Sequence, residues 1–268
     1  MALRSAIINV MAMAADKAAT RLVRDFGEVE HLQVSRKGPA DFVSSADKKA
    51  ESILRQALSK ARPEYGLLME ESGETVGSDP RHRWIVDPLD GTTNFLHGIP
   101  HFCISIALER DGEIVAGVVF DPLKDELFWA ERGLGAYVND RRLRVSGRSR
   151  LPDALFATGI PFLGIQDGPG HKKFLGQLGR VMAQCSGVRR YGSAALDLAY
   201  VAAGRYDGYW ENGLNAWDVA AGILLVRESG GQVSDIAGRR YQLNSPDICA
   251  GNEALHTPLR NLIREPVA

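Results

Sequence analysis

The chain has 268 residues, of which 45% are hydrophobic and 24% charged, a composition typical of a globular protein and not of a disordered, collagenous or coiled-coil chain. Lys and Arg total 32 against 33 Asp and Glu, a net charge of -1, so no overall positive field would attract nucleic acid or an anionic membrane as the primary ligand. The three cysteines are few and scattered, which favours a reducing, cytoplasmic compartment over a disulfide framework.

The N-terminal third predicts two helices. Apolar residues recur at three- and four-residue intervals from Leu3 to Leu22, which indicates an amphipathic helix ending near Gly27. This interpretation is preferred to a signal peptide, although Arg4 precedes an apolar run there. After an extended segment at 41–45, a second helix with a buried stripe ends before Pro63. No apolar stretch reaches the roughly 18 residues that indicate a membrane span.

The pattern then changes to strands. Trp84-Ile85-Val86 predicts a short buried strand, and Asp111-Gly112 predicts the turn of a hairpin between two apolar segments. Further strands are predicted at 127–130, 135–138 and 143–145. These segments together predict a mixed or antiparallel sheet.

The second half alternates strands and helices. Strands are predicted near 155–159, 188–191, 206–211 and 232–234, and helices over about 172–185, 194–203 and 216–228, the last closed by Ser229-Gly230-Gly231. This alternation indicates layered helices and sheets. We expect one α/β domain over residues 1–268, with subdomains 1–150 and 151–268.

The segment Asp87-Pro88-Leu89-Asp90-Gly91-Thr92-Thr93-Asn94 carries the strongest chemical signal. Two carboxylates follow a buried strand three residues apart, and Pro88 and Gly91 allow them to converge on one point. Paired hard oxygen donors suit Mg²⁺, and the backbone N–H groups of Gly91 and Thr92 could receive a phosphate. A simple capped turn is the competing interpretation.

Three other acids are candidates for the same site as Asp87 and Asp90, and each has a competing interpretation. Glu70 follows the apolar run 66–69 but could belong to a surface carboxylate pair. Asp47 lies in the first turn of a predicted helix, where the helix dipole alone would explain it. Asp218 is flanked by Trp217 and by small residues, surroundings in which an acid calls for a cation.

The chain resembles the inositol monophosphatase-like, Mg²⁺-dependent, lithium-sensitive sugar phosphatases over nearly its whole length. The resemblance rests on the segments 84–95 and 217–222, with Glu228-Ser229-Gly230-Gly231 downstream. Supporting matches are the segments 37–43, 70–72 and 191–197. Ser229 stands where the family more often has Ala.

The resemblance implies an αβαβα sandwich, a homodimer, and two or three Mg²⁺ ions per subunit. It assigns Glu70, Asp87 and the Leu89 carbonyl to the first metal, and Asp87, Asp90 and Asp218 to the second, with Glu70 near a third. Phosphate monoester hydrolysis would then use a metal-activated water whose proton passes to Thr92 and Asp47, with no covalent intermediate. Lys37 would add positive charge beside the metals.

For the rest of the substrate, the resemblance implies contacts to sugar or cyclitol hydroxyls. They would come from Gly192, Ser193, Ala194, Glu211 and Asp218, although Glu211 could also be an ordinary exposed acid. The segment 34–44 is our candidate for a loop that closes over the pocket. Arg189 and Arg190 would line the entrance, support the dimer or be solvated.

The best single substrate is myo-inositol 1-phosphate. The alternatives are fructose 1,6-bisphosphate, a nucleotide 3′,5′-bisphosphate, histidinol phosphate, or a non-catalytic or moonlighting regulatory scaffold. Serine hydrolase, zincin and P-loop motifs are absent from the sequence. His97 and His101 are interpreted as structural loop histidines because Gly98 and Pro100 prevent a helix between them, and Cys103 as a core residue.

Overall fold

A computed structural model describes residues 4–28, 34–38, 41–161 and 168–264, with only the backbone described in 34–38, 41–44 and 168–169. The helices in these ranges are α1 (Ala6–Gly27), α2 (Ser45–Ala61), α3 (Thr92–Leu96), α4 (Gly168–Met182), α5 (Ala194–Ala202), α6 (Ala216–Glu228) and α7 (His256–Arg264). The strands are β1 (Val34–Gly38), β2 (Asp41–Ser44), β3 (Tyr65–Met69), β4 (Gly73–Thr75), β5 (Asp79–Asp90), β6 (Cys103–Arg110), β7 (Glu113–Asp121), β8 (Glu126–Glu131), β9 (Gly135–Val138), β10 (Arg141–Arg142), β11 (Leu155–Thr158), β12 (Gly187–Arg189), β13 (Gly208–Asn212), β14 (Gln232–Ser234) and β15 (Asp247–Gly251).

The first large sheet has eight strands in the order β10-β9-β8-β7-β6-β5-β3-β4. Its pairs are antiparallel except β3 with β5, which is parallel. The prediction of a mixed sheet is therefore confirmed. The hairpin between β6 and β7 turns at Asp111 and Gly112, whose φ angles of 53° and 77° have the sign that a two-residue hairpin turn requires.

The second large sheet has five strands in the order β12-β11-β13-β15-β14. β11 runs parallel to β12 and β13, whereas β15 runs antiparallel to β13 and β14. Helices α1 and α2 cover the outer face of the eight-stranded sheet, α5 and α6 lie between the two sheets, and α4 and α7 pack on the far side of the second. This order is the predicted αβαβα sandwich.

Three apolar clusters join the layers. One lies between α1, α2 and the first sheet around Ile8, Leu54 and Trp84. The second and largest surrounds α5 and α6 between the sheets, and the third joins the second sheet to α4 and α7 around Trp210 and Leu259. The middle cluster contains residues from both halves of the sequence, and the division near residue 150 stays a prediction.

Several predicted elements differ from those in the structure. The predicted strand at 143–145 is wrong: Leu143 is buried in the core, and the Val145 N–H donates to the Ser229 carbonyl as the chain crosses toward the second sheet. Strand β15 and helix α7 were not predicted, because the turn-rich segment before them hides their short apolar runs. Within the part of the chain that is described, no helix is long and apolar enough to span a bilayer.

Small residues let α6 approach both of its neighbours closely. A Cβ added at Gly222 would lie 2.6 Å from the Cβ of Leu198 on α5, and one at Gly117 of β7 would lie 3.0 Å from the Cα of Ala221. Contacts this short leave no room for a methyl group. The position of α6, and of Asp218 in its first turn, therefore depends on these glycines.

We expect Gly222→Ala to lower the free energy of unfolding by about 1–3 kcal/mol, because the added methyl group overpacks the α5–α6 contact. Gly179→Ala is the matched control: it lies in α4 with nothing within 4 Å of its added Cβ, so better helix propensity should raise stability by about 0.5–1 kcal/mol. Urea denaturation of both variants measures the change in the free energy of unfolding, which should be negative for Gly222→Ala and positive for Gly179→Ala. Equal effects would contradict the packing argument.

Candidate active site

The two carboxylates of the sequence motif lie at an irregular end of β5. Asp87 pairs with Ser105 of β6 and Asp90 with Cys103, and the register shifts between them. The strand thus continues past Val86, where the sequence predicted its end, and contains a bulge that can redirect side chains. Asp87 is 2% exposed, and its Oδ1 accepts the Leu89 N–H at 2.9 Å.

The third acid reaches the same place from the start of α6. Asn215 caps the helix, and its N–H donates to Oδ2 of Asp218 at 2.6 Å, completing a reciprocal capping box. This contact fixes the carboxylate in the first turn, where the helix dipole favours a negative charge. Helix capping and a metal role are therefore compatible at Asp218, because the cap uses only one oxygen.

Asp90 is held by the other half of the chain. Its Oδ2 accepts the Ser193 hydroxyl at 2.6 Å and the Ala195 N–H at 2.8 Å. The Cys103 thiol lies 3.8 Å from the same oxygen. Ser193 is also the N-cap of α5, so one carboxylate connects the β5–α3 turn to the start of a helix about a hundred residues later.

The cluster is electrostatically unfavourable without a cation. Burial raises the pKa of Asp87 well above its ordinary value, and the charges of Glu70, Asp90 and Asp218 raise it further. Burial, Asp90 and Glu70 likewise raise the pKa of Asp218, and burial raises the pKa of Asp90 to about 6 despite its hydrogen bonds from Ser193 and Ala195. Like charges confined in a low dielectric have this effect.

A cavity of about 370 Å³ opens beside this cluster, within the size range of small-molecule sites. The predicted site residues that line it are Glu70, Asp90, Gly192, Ser193, Ala194, Glu211 and Asp218. The structure thus brings together four segments that are far apart in sequence. Asp47, Asp87, Leu89, Gly91 and Thr92 are not among the lining residues.

The Thr92 hydroxyl lies between two of the predicted groups, the Asp47 carboxylate and the Leu89 carbonyl. The hydroxyl oxygen lies 2.9 Å from Oδ1 of Asp47 and 3.0 Å from the Leu89 carbonyl oxygen. A hydroxyl has one proton, so it can donate to only one of the two at a time. Asp47 is fully buried in the first turn of α2, and the predicted Thr92–Asp47 pair is formed.

The turn before α3 is compact, and Gly91 and Asn94 fix it. Gly91 has a φ of 99° and is the N-cap of α3. A Cβ there would lie 3.0 Å from the His101 carbonyl oxygen. Asn94 was not assigned a role from the sequence: its amide donates to the His101 carbonyl at 2.8 Å and to the Tyr191 carbonyl at 2.7 Å, which ties this turn to the segment entering α5.

Glu211 is one of the residues that line the cavity. Its carboxylate accepts a short hydrogen bond from the Tyr209 hydroxyl and lies over Gly159, where an added Cβ would overlap it. Burial raises the pKa of Glu211 to about 7, which the Tyr209 hydrogen bond and Arg190 partly oppose. Glu211 is thus a positioned cavity residue, and the interpretation as an ordinary exposed acid is wrong.

Other predictions can be placed directly. Cys103 is fully buried, as expected for a core residue. His97 is exposed beside a turn, and burial lowers the pKa of His101 to about 4. Arg190 lines the cavity, as does Gly159, which the sequence analysis did not single out because a lone glycine after a strand carries no chemical signal. The Lys37 side chain lies outside the described residues.

The donor set fits a hard divalent cation in its chemistry. Asp87 uses Oδ1 and Asp218 uses Oδ2 in hydrogen bonds, and the second oxygen of each is left to face an ion. Within the described ranges, no three His, Cys, Asp or Glu side chains are already gathered closely enough to hold a metal. Cation binding would therefore draw these mutually repelling carboxylates together.

We expect the metal-free protein to become more stable as the pH falls from about 7.5 to about 5. The raised folded-state pKa values of Asp90 and Glu211 mean that the folded chain takes up protons there before the unfolded chain does, so stability is gained on acidification, by up to about 1.4 kcal/mol per group and pH unit. Urea denaturation across that range measures the slope.

The pKa of Asp218 is itself raised by burial and by the charges of Asp90 and Glu70, so Asp218→Asn should flatten this dependence by removing one group that takes up a proton on folding. Asp153→Asn, at a side chain that is 57% exposed, should leave it unchanged. Added Mg²⁺ should reverse the slope, because a cation binds the ionised carboxylates. Identical slopes in wild type and Asp218→Asn would contradict the coupling.

Comparison with known proteins places the chain in a family. The family model described as the inositol monophosphatase family matches residues 3–267. An inositol-1-monophosphatase of Mesorhizobium japonicum is 60% identical over 265 residues, covering 99% of this chain and 98% of that protein. The Nus factor SuhB of Pseudomonas aeruginosa is 45% identical over 248 residues, covering 92% of this chain and 91% of that protein.

A solved structure agrees with the fold. The extragenic suppressor protein suhB of Bartonella henselae superposes with a TM-score of 0.94 at 60% identity, covering 97% of this chain and 99% of that one. The chain belongs to the inositol monophosphatase family.

Proposed function

We propose that this chain is a Mg²⁺-dependent phosphomonoesterase that hydrolyses myo-inositol 1-phosphate, or a similar polyol phosphate, to the free polyol and phosphate. The observation that carries the proposal is the convergence of Glu70, Asp87, Asp90 and Asp218 beside one cavity. The relatives named inositol-1-monophosphatase support the substrate class.

The metal assignment follows the family pattern. Glu70, Asp87 and the Leu89 carbonyl would hold one Mg²⁺, and Asp87, Asp90 and Asp218 a second, with Glu70 near a third. Bound Mg²⁺ would supply Lewis acidity toward the attacking water and the phosphate oxygens. The raised pKa values of Asp87 and Asp218 support this assignment, because a cation relieves the repulsion that contributes to them.

Thr92 and Asp47 would move the proton. A water in the site could pass a proton to the Thr92 hydroxyl as that hydroxyl donates its own to Asp47, 2.9 Å away. The Leu89 carbonyl oxygen, 3.0 Å away, is the alternative acceptor for the same hydroxyl proton. The N–H groups of Gly91 and Thr92 would bind phosphate oxygens, with Lys37 adding positive charge.

The cavity wall would recognise the polyol. Glu211 can accept hydrogen bonds from neighbouring hydroxyls, and its position is fixed by Tyr209. Gly192, Ser193 and Ala194 line the same cavity as Asp218. We extend the proposal to a homodimer, a cytoplasmic location and inhibition by lithium, as the family resemblance implies.

A second candidate is a regulatory scaffold role, in addition to or in place of catalysis. It is favoured by the relatives named Nus factor SuhB, which are 44–45% identical to this chain. The intact carboxylates favour catalysis, since retaining buried acids without a cation would be costly. Turnover by the purified protein alone distinguishes a purely non-catalytic role from an enzyme.

We expect phosphate release from myo-inositol 1-phosphate to exceed release from fructose 1,6-bisphosphate, adenosine 3′,5′-bisphosphate and histidinol phosphate, and to require Mg²⁺. Glu211→Gln should raise KM for the inositol ester while leaving turnover of p-nitrophenyl phosphate, which has no polyol, nearly unchanged. Preference for another ester would overturn the substrate, and no release from any ester would favour the scaffold role.

We expect Thr92→Val to lower kcat by about 10²–10⁴-fold, because it removes the hydroxyl that connects the water to Asp47. Thr92→Ser, which keeps the hydroxyl, should retain most of the activity, and both variants should keep the same Mg²⁺ affinity. Steady-state kinetics at saturating Mg²⁺ compares the kcat values of the two variants without an effect of metal affinity. Comparable losses in both variants would argue against a proton role for the hydroxyl.

A further inference from the structure

A second cavity lies at the opposite end of α6 from the proposed active site. It measures about 510 Å³ and is lined by four arginines, Arg132, Arg227, Arg240 and Arg260, together with Glu113, Glu228 and a rim from β14 and α7. We call it the arginine cavity. It shares no lining residue with the first cavity, and Arg227 lies nine residues after Asp218, about 14 Å along the helix.

The negative charges in the arginine cavity are already engaged. Glu113 forms a two-oxygen contact with Arg240, at 2.6 and 2.8 Å. Glu228 accepts the Gly133 and Gly135 N–H groups, each at 2.9 Å. Both carboxylates therefore hold neighbouring segments in place, and their two charges offset only half of the positive charge of the four arginines.

In the part of the chain that the structure describes, three guanidinium groups of the arginine cavity have no carboxylate partner. No ion pair of Arg132, Arg227 or Arg260 is found within residues 4–28, 34–38, 41–161 and 168–264. Arg260 has a buried Nε–H with no acceptor, and its guanidinium occupies the space over Gly238 where a side chain would otherwise lie. An unsatisfied buried donor is uncommon in folded proteins.

Arg227 shows most clearly that the cavity has an excess of positive charge. It is half-buried in the last turn of α6. Burial lowers its pKa, and the charges of Arg240 and Arg132 lower it further, while Glu113 acts in the opposite direction. An anion between these groups would replace mutual repulsion by attraction.

We propose that the arginine cavity is a second ligand site that binds a dianionic phosphate group, either inorganic phosphate or a phosphate monoester. Four arginines and two glutamates leave the lining with a net charge of +2, which matches a phosphate dianion. Guanidinium groups bind phosphate oxygens in paired hydrogen bonds. The cavity exceeds what one phosphate needs, so an attached organic group can be accommodated.

The test measures binding to the full chain after its metals are removed on a chelating resin, without an anionic chelator that could itself enter the cavity. Under these conditions the carboxylate cluster repels phosphate, so calorimetry with inorganic phosphate reports the arginine cavity. We expect one saturable site per chain. Repeating the titration with Mg²⁺ should leave this site unchanged, so the result does not depend on phosphatase activity.

Arg227→Gln combined with Arg260→Gln should weaken phosphate binding at least tenfold, and Arg150→Gln, at a side chain that is 75% exposed elsewhere on the surface, should not. Because Arg132 is exposed, Arg132→Gln provides a variant whose folding is not at risk, and it should weaken binding several-fold. Absence of saturable binding to the wild type, or equal affinity in wild type and the double variant, would overturn the proposal.

Two further probes distinguish the source of the phosphate group. Glycerol 2-phosphate and adenosine 5′-monophosphate should compete with inorganic phosphate for the same site. Tighter binding of either ester would identify an organic phosphate as the ligand, and tighter binding of inorganic phosphate would identify the free anion. Failure of all three to bind would contradict a phosphate site.

Discussion

The repulsion among buried carboxylates is the constraint on which the site depends. Burial raises the pKa values of Asp87, Asp90 and Asp218, and the charge of Asp90 raises those of Asp87 and Asp218 further. Such a group survives only where hydrogen bonds hold each carboxylate, and each has its own donor: the Leu89 N–H, the Ser193 hydroxyl and the Asn215 N–H. The surrounding fold provides these donors at fixed positions.

Helix α6 is the element that makes this arrangement possible. Its N-terminus presents Asp218, its middle packs against Gly117 and Leu198 without room for another methyl group, and its last turn presents Arg227. The helix is apolar along nearly its whole length, because it is enclosed by the two sheets. A polar residue is tolerated only near its two ends, and both ends border cavities.

Much of this could be predicted from the sequence, for physical reasons. The helix bounds of α6, the hairpin at Asp111-Gly112 and the layered alternation depend on local periodicity and turn chemistry, which a single sequence displays. The candidate metal motif was noticeable because two acids directly follow a buried strand, but only the family resemblance favoured a metal site over a capped turn. Asn94 and Gly159 could not be assigned, because their roles arise from contacts with Tyr191 and Glu211 that the fold creates across long separations.

The arginine cavity was hidden from the sequence for the same reason. The charge totals nearly cancel over the whole chain, and its four arginines lie on β8–β9, α6, the segment after β14, and α7. Their spacing in the sequence gives no sign that these four arginines lie together in the fold. A balanced net charge therefore does not predict the local electrostatic potential, which depends on the charged side chains that the fold brings close together.

The distribution of the acids along the chain has a consequence for the order of folding. Glu70, Asp87 and Asp90 come from neighbouring strands of one sheet, whereas Asp218 follows 128 residues after Asp90 and joins them only when α6 docks against that sheet. Docking of α6 therefore adds a fourth acid to three of the same sign, and contacts between residues so far apart in sequence slow folding. Docking of α6 is the step that free Mg²⁺ would accelerate, so the cation would act on the rate of maturation as well as on the finished enzyme.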